Sequence, residues 1–212
     1  MTFSVSGKQK HDIQLENRQR MMDVVDKNTV AVLLSNNSVA IVDIQQNNVQ
    51  YIRNIAIPYG SGTSIYIENQ FYVDDELGII VFDMSETVNR RIELSFTPRN
   101  MCYDVESQLI YCYTSVNSTL VCIARDDTIA FTFHDPIWTN LHRITIHNDG
   151  NLLVLCRKGD HGKTGYVIKV DSNDKSSEVV IRNIKMSSYI SCICFDRLQN
   201  SVVIGVDDTV HL

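Results

Sequence analysis

Six cysteines, six histidines and 25 carboxylates are the residues of this 212-residue chain that could ligate a metal, cross-link or catalyse. Their spacing argues against each use. Structural zinc sites pair thiols roughly two to four residues apart across a tight turn, whereas Cys192 and Cys194 are separated by one residue and fall on one face of a strand. Cys102, Cys112, Cys122 and Cys156 stand singly inside apolar runs such as Leu109-Ile110-Tyr111-Cys112-Tyr113 and Leu152-Leu153-Val154-Leu155-Cys156. A buried free thiol packs as a small hydrophobe, and a chain of this size needs no disulfide staples. All six are expected to be buried and reduced, in a cytoplasmic protein. His11, His134, His142, His147, His161 and His211 are scattered one per segment. The carboxylates of Asp74, Asp75, Glu76, Asp207 and Asp208 fall on outer loops, too dispersed for the six to eight or so converging oxygens that calcium takes. No Gly-x-Ser-x-Gly elbow, phosphate-cradling glycine loop or His-Glu-x-x-His pair occurs. The expectation is a protein without cofactor, metal or catalytic residues.

Recognition chemistry remains. Arginines and large aromatic rings dominate protein-binding hot spots, and Arg18, Arg20, Tyr59, Arg99, Trp138, His142 and Tyr189 all precede or open a strand. Trp138, the single tryptophan, sits in Asp135-Pro136-Ile137-Trp138 and is the first candidate for an anchor. Burial of its indole between packed elements is an equally good use. A formal charge of −6 disfavours an RNA partner, because sequence-independent nucleic-acid binding needs Lys and Arg to displace counterions. The small clusters at Lys8 and Lys10 and at Arg18 and Arg20 read as solvated faces. No run of 18 apolar residues and no secretory h-region is present. A protein partner is expected, and no membrane.

The elements that must position these residues follow a repeat. Apolar strands meet at five acidic-amide turns beginning at Asp26, Glu68, Glu106, Asn148 and Asp196, in steps of 42, 38, 42 and 48 residues. That is the period of a four-stranded propeller blade, about 40 to 50 residues. The fold class expected is all-β, a β-propeller of four-stranded antiparallel blades over 20–57, 58–96, 97–136, 137–185 and 186–212. The last unit stops in its third strand, and residues 10–15 form a strand with no blade ahead of it. Pairing of that strand with the last unit would close five blades and remove both free edges; the alternative is an incomplete six-bladed ring. In such a ring the loops between second and third strands would form an acidic fringe of Asn36, Asn37, Asp74, Asp75, Glu76, Asn117, Asp160, His161, Asp207 and Asp208 around the arginines and aromatics.

The sequence Asp23-Val24-Val25-Asp26-Lys27-Asn28-Thr29-Val30-Ala31-Val32, followed by Val39-Ala40-Ile41-Val42-Asp43-Ile44, resembles the NHL-like C-terminal propeller of tripartite-motif proteins. So does Ile144-Thr145-Ile146-His147-Asn148-Asp149-Gly150-Asn151-Leu152-Leu153-Val154. Asp43, Asp83 and Asp171 end third strands in the same manner, while Arg125 departs from it. The resemblance implies a module that recognises a protein or structured RNA. The family's ubiquitin-ligase activity resides in RING, B-box and coiled-coil segments that have no counterpart here, so neither zinc nor ligase chemistry carries over.

Overall fold

The computed structural model describes residues 2–3, 9–11, 13–52, 62–114, 117–158, 164–173, 175–186, 191–206 and 209–211, and every regular element among them is a β-strand. The chain divides into two compact units, Met1–Thr97 and Pro98–Leu212.

In the first unit β1 (Thr2–Phe3) pairs with β2 (Gln9–His11). The first blade is the meander β3 (Gln19–Val24), β4 (Thr29–Leu34), β5 (Val39–Asp43) and β6 (Asn48–Ile52). The second is β7 (Ser64–Ile67), β8 (Gln70–Asp75), β9 (Gly78–Asp83) and β10 (Val88–Glu93). Side chains at the turns hold the hairpins closed. Asp26 Oδ1 accepts the backbone N–H groups of Asn28 and Thr29 at 2.8 and 2.9 Å. Glu68 and Asn69 join β7 to β8 with φ of 46° and 68°, the two left-handed positions whose twist matches a tight hairpin.

The middle strands are apolar almost throughout because both faces are covered. Ala31, Leu33, Val39 and Ile41 pack against Phe71, Val73 and Phe82 of the second blade. On the opposite face of the first blade, Val32, Leu34, Ala40 and Val42 are covered by Ile13 and Leu15, and Tyr51 Oη accepts the Glu16 N–H at 3.2 Å. Gln9–His11 pairs with Thr2–Phe3, and Ile13 and Leu15 pack on the first blade.

The second unit holds β11 (Pro98–Asp104), β12 (Leu109–Thr114), β13 (Thr119–Ile123) and β14 (Ile129–Phe133) as one blade. The next comprises β15 (Trp138–Ile146), β16 (Leu152–Lys158), β17 (Thr164–Val170) and β18 (Ser177–Lys185). A three-stranded sheet follows, β19 (Ser191–Asp196), β20 (Ser201–Val206) and β21 (Thr209–His211). Within each unit the first strands of successive blades adjoin, β3 with β7, β11 with β15 and β15 with β19. One core joins Tyr111, Leu120 and Phe133 to Ile144, Val154 and Ile168. Another joins Leu153, Leu155 and Val167 to Ile193, Phe195 and Ile204.

Cys112, Cys122 and Cys156 are buried and Cys102 is half-buried, whereas Cys192 and Cys194 are exposed. The last pair departs from the expectation of burial. Alternation along β19 sends Ile193 and Phe195 into the core, so the two thiols take the other face.

Candidate functional site

Three first strands are bulged where they begin. The ladder slips between Gln19 and Met21 in β3, between Arg99 and Cys102 in β11, and between Thr139 and Arg143 in β15. A bulge leaves extra residues out of the ladder and re-aims their side chains. The residues singled out by the sequence fall on or beside these three points: Arg18 and Arg20, Arg99, and Trp138 with His142. Tyr59 and Tyr189 lie outside the described residues, as do Asp160, His161, Asp207 and Asp208.

In the first unit the arginines are tied to the turn between β4 and β5. Arg20 Nη2 donates to the Ser35 carbonyl at 3.4 Å, and the Arg18 carbonyl accepts the Ser35 N–H at 2.8 Å. Of the acidic residues expected nearby, Glu76 is exposed, whereas Asp74 and Asp75 are 2% and 6% exposed. Asp74 Oδ1 accepts the N–H groups of Gly62 and Thr63 at 2.8 and 2.9 Å, and Asp75 is ion-paired with Arg91. Both carboxylates serve the backbone and a cross-strand pair, because they end β8 inside the sheet and not in a loop.

The second unit gathers more. Asn100, at φ 37°, accepts the Ile144 N–H on its Oδ1 at 2.6 Å and so clamps the bulge of β11 to β15. Tyr113 donates its hydroxyl to the His142 carbonyl at 3.1 Å, and Arg143 Nη1 donates to the same oxygen at 2.7 Å. Arg99 is exposed and stands opposite Tyr113 in the ladder. Burial pushes the Tyr113 hydroxyl up from its ordinary value, while the Arg143 and Arg99 charges act in the opposite sense. Arg99 thus neighbours Tyr113 across the ladder, and Arg143 shares with the Tyr113 hydroxyl its bond to the His142 carbonyl. Neither is ion-paired with a carboxylate among the described residues.

Beside this group a cleft of about 390 Å³ is lined by Asn117, Ser118, His134, Trp138, Thr139 and Asn140. A hydrogen bond ties its walls together. Ser118 Oγ accepts the Asn140 N–H at 3.0 Å, and Asn117, Ser118 and Asn140 all hold positive φ. Trp138 is only 8% exposed. Its ring belongs to the core between the two blades, 5.5 Å from that of Tyr166, so it forms a cleft wall and not a projecting anchor.

His142 is buried too, at 6% exposure. Burial first, then the Arg157 and Arg143 charges, lower its pKa from 6.5 to about 4. The imidazole is neutral at pH 7 and adds nothing to the local positive charge. The linkage has a definite sign: the unfolded state takes up the proton first, so stability falls as pH drops through the unfolded value toward about 4. Between pH 7 and pH 5 the loss expected from His142 is about 2 kcal/mol. Urea denaturation at the two pH values measures it, and a His142→Gln variant should lose most of that slope.

Acid–base and nucleophilic chemistry find little support here. Burial pushes the Cys122 and Cys156 thiols up to about 12 and raises Cys112 further still, leaving them protonated and unreactive. His147 Nδ1 lies 2.7 Å from Asp149 Oδ1 and Lys169 Nζ lies 2.5 Å from Asp149 Oδ2. That trio closes the turn between β15 and β16, with the His147 ring against Phe195. Among the described residues no three His, Cys, Asp or Glu side chains converge to hold a metal ion, and no helix is long and apolar enough to cross a membrane.

No family model and no curated protein matches the sequence. Solved structures do. Kuenenia stuttgartiensis hydrazine synthase is similar over 96% of this chain and 58% of its own, at 14% identity and a TM-score of 0.69. A streptogramin B lyase is similar over 92% of this chain and 65% of its own, at 10% identity and TM-score 0.66. The WD40 β-propeller domain of Doa1 is similar over 87% and 60%, at 8% identity and TM-score 0.64. The chain spans less than two thirds of each of these structures. At such identities the likeness establishes the fold, an all-β propeller of four-stranded antiparallel blades.

Sequence reasoning missed Arg143, Tyr113 and Asn100. A signal for the bulges was present, since Arg99-Asn100 and Thr139-Asn140 each place at the start of a first strand the residue that best tolerates positive φ after glycine.

Proposed function

We propose that this chain is a non-catalytic protein-interaction propeller whose contact surface is the bulged end of β11 and β15 together with the adjoining cleft. The observation that carries the reading is the placement of Arg99 and Arg143, neither bound to a carboxylate among the described residues, near amide and hydroxyl groups on strands held by side-chain clamps. Such placement limits the ordering cost of binding, and arginine beside polar, partly desolvated walls is the composition of an interface anchor. The resemblance to NHL-like propellers would make the chain the recognition part of a tripartite-motif-like assembly. That rests on the motifs at 23–32, 39–44 and 144–154 and on Asp43, Asp83 and Asp171. A cytoplasmic location belongs to the same reading and is supported by six free thiols.

A photo-crosslinking residue at His134 or Ile137, both exposed at the cleft end, should yield discrete protein adducts in cells. The same residue at Glu106 or Asp126, exposed on turns at the other ends of these blades' strands, should not. Adducts of equal yield from all four positions would remove the assignment of the surface. RNA adducts without protein would favour the RNA-binding reading.

A further inference from the structure

We infer that Arg99 and Arg143 seat one carboxylate side chain of a protein partner, while the neighbouring cleft takes up backbone amides of the same peptide segment. The inference rests on the protein-interaction reading and gives it a ligand chemistry.

Two guanidinium groups brought near one tyrosine repel each other, and the chain overall carries a charge of −6 that could have supplied a carboxylate to separate them. Among the described residues it does not. Arg143 and the strands that carry both arginines are nevertheless held from several sides. Asn100 holds β11 to β15 through the Ile144 N–H, Tyr113 holds β12 to the His142 carbonyl, and Arg143 is oriented by its own bond to that carbonyl. An arginine fork matches a carboxylate in plane and spacing, and charge-assisted bonds of this type are about twice as strong as neutral ones.

Charge and lining select the class of ligand. His142, neutral at pH 7, leaves the seat with the charges of Arg99 and Arg143. That suits one acidic side chain. A nucleic-acid backbone needs a track of cations along successive phosphates, and the chain's net negative charge opposes it at long range. The cleft offers the side-chain amides of Asn117 and Asn140 and the hydroxyl of Ser118, which pair with peptide N–H and C=O groups.

The test selects a phage-displayed library of random peptides on the immobilised whole chain. Enriched peptides should share Asp or Glu at one position. In solution, changing that residue to Asn or Gln should weaken binding about tenfold, and the Arg99→Gln/Arg143→Gln double variant should weaken the acidic peptide by a similar factor. With the double variant the peptide change should cost nothing more, the mark of a direct pair. Arg99→Lys should keep part of the affinity, as charge without the fork. Thermal melts monitor folding; should Arg143→Gln unfold the chain, Arg99→Gln alone, exposed and outside every hydrogen bond described above, must still weaken the acidic peptide. Enriched peptides lacking an acidic residue, or acidic ones insensitive to Arg99→Gln, would overturn the seat and leave the protein-interaction reading standing. Absence of any enriched peptide, with or without salt-dependent binding of oligouridylate RNA, would overturn both.

Discussion

Gly78→Ala is expected to lower the stability of the chain by about 3 kcal/mol or more, a fall in Tm of about 6 to 12 °C for a chain of this length. A Cβ at Gly78 would collide with the carbonyl oxygen of Ile92 on β10 and approach the Leu94 nitrogen. Those are backbone atoms in a ladder that cannot yield: Gly78 is the partner of Glu93, and Leu94 donates its N–H to the Leu77 carbonyl at 2.8 Å. Gly165→Ala is the informative control. A Cβ there meets the Sδ and Cγ of Met186, the far end of a flexible thioether that re-packs readily, and the loss should be about 1 kcal/mol. Urea denaturation of the two variants side by side measures the difference. Equal losses would show that β9 and β10 are not held at the separation described.

The blades were legible because their turns carry their own chemistry. Asp26, Asp83, Asp171 and Asp196 each accept backbone N–H groups two or three residues on, so an aspartate ahead of a polar residue marks a strand end independently of what packs around it. The strands between them are recognisable as apolar runs. Side-chain direction is a different matter. Asp74-Asp75-Glu76 reads locally as an acidic loop, yet the strand continues through Asp75, and the two carboxylates are consumed by Gly62, Thr63 and Arg91, partners 11 to 16 positions away in sequence. Cys192 and Cys194 look like core residues within Ile190-Ser191-Cys192-Ile193-Cys194-Phe195 until it is known which face of β19 is covered. Arg99, Trp138 and His142 all fall at the bulged starts of β11 and β15. That two of them are buried while Arg99 is open depends on bulges, and a bulge changes facing without changing the period.

Asp74→Ala is expected to cost about 3 kcal/mol, and it separates a structural carboxylate from a surface one. Asp74 and the stretch ahead of β7 bind each other reciprocally. The carboxylate accepts the N–H groups of Gly62 and Thr63, and the Asp74 N–H donates to the Thr63 carbonyl at 3.2 Å. Thr63 is 2% exposed, so with alanine opposite it the Thr63 N–H loses the carboxylate acceptor and has little access to water. A buried donor left in that state costs about 1 to 3 kcal/mol, and the lost bonds to a charged acceptor add to it. Asp74→Asn keeps an oxygen able to face both N–H groups and should lose only about 1 kcal/mol. Hydrogen exchange gives the local readout: the Thr63 amide should lose protection in Asp74→Ala and retain most of it in Asp74→Asn. A carboxylate in an exposed fringe would behave otherwise, since surface substitutions stay within about 0.5 kcal/mol. A harmless Asp74→Ala would therefore put the acidic side chain back on the surface and would take away the support described for the start of the second blade.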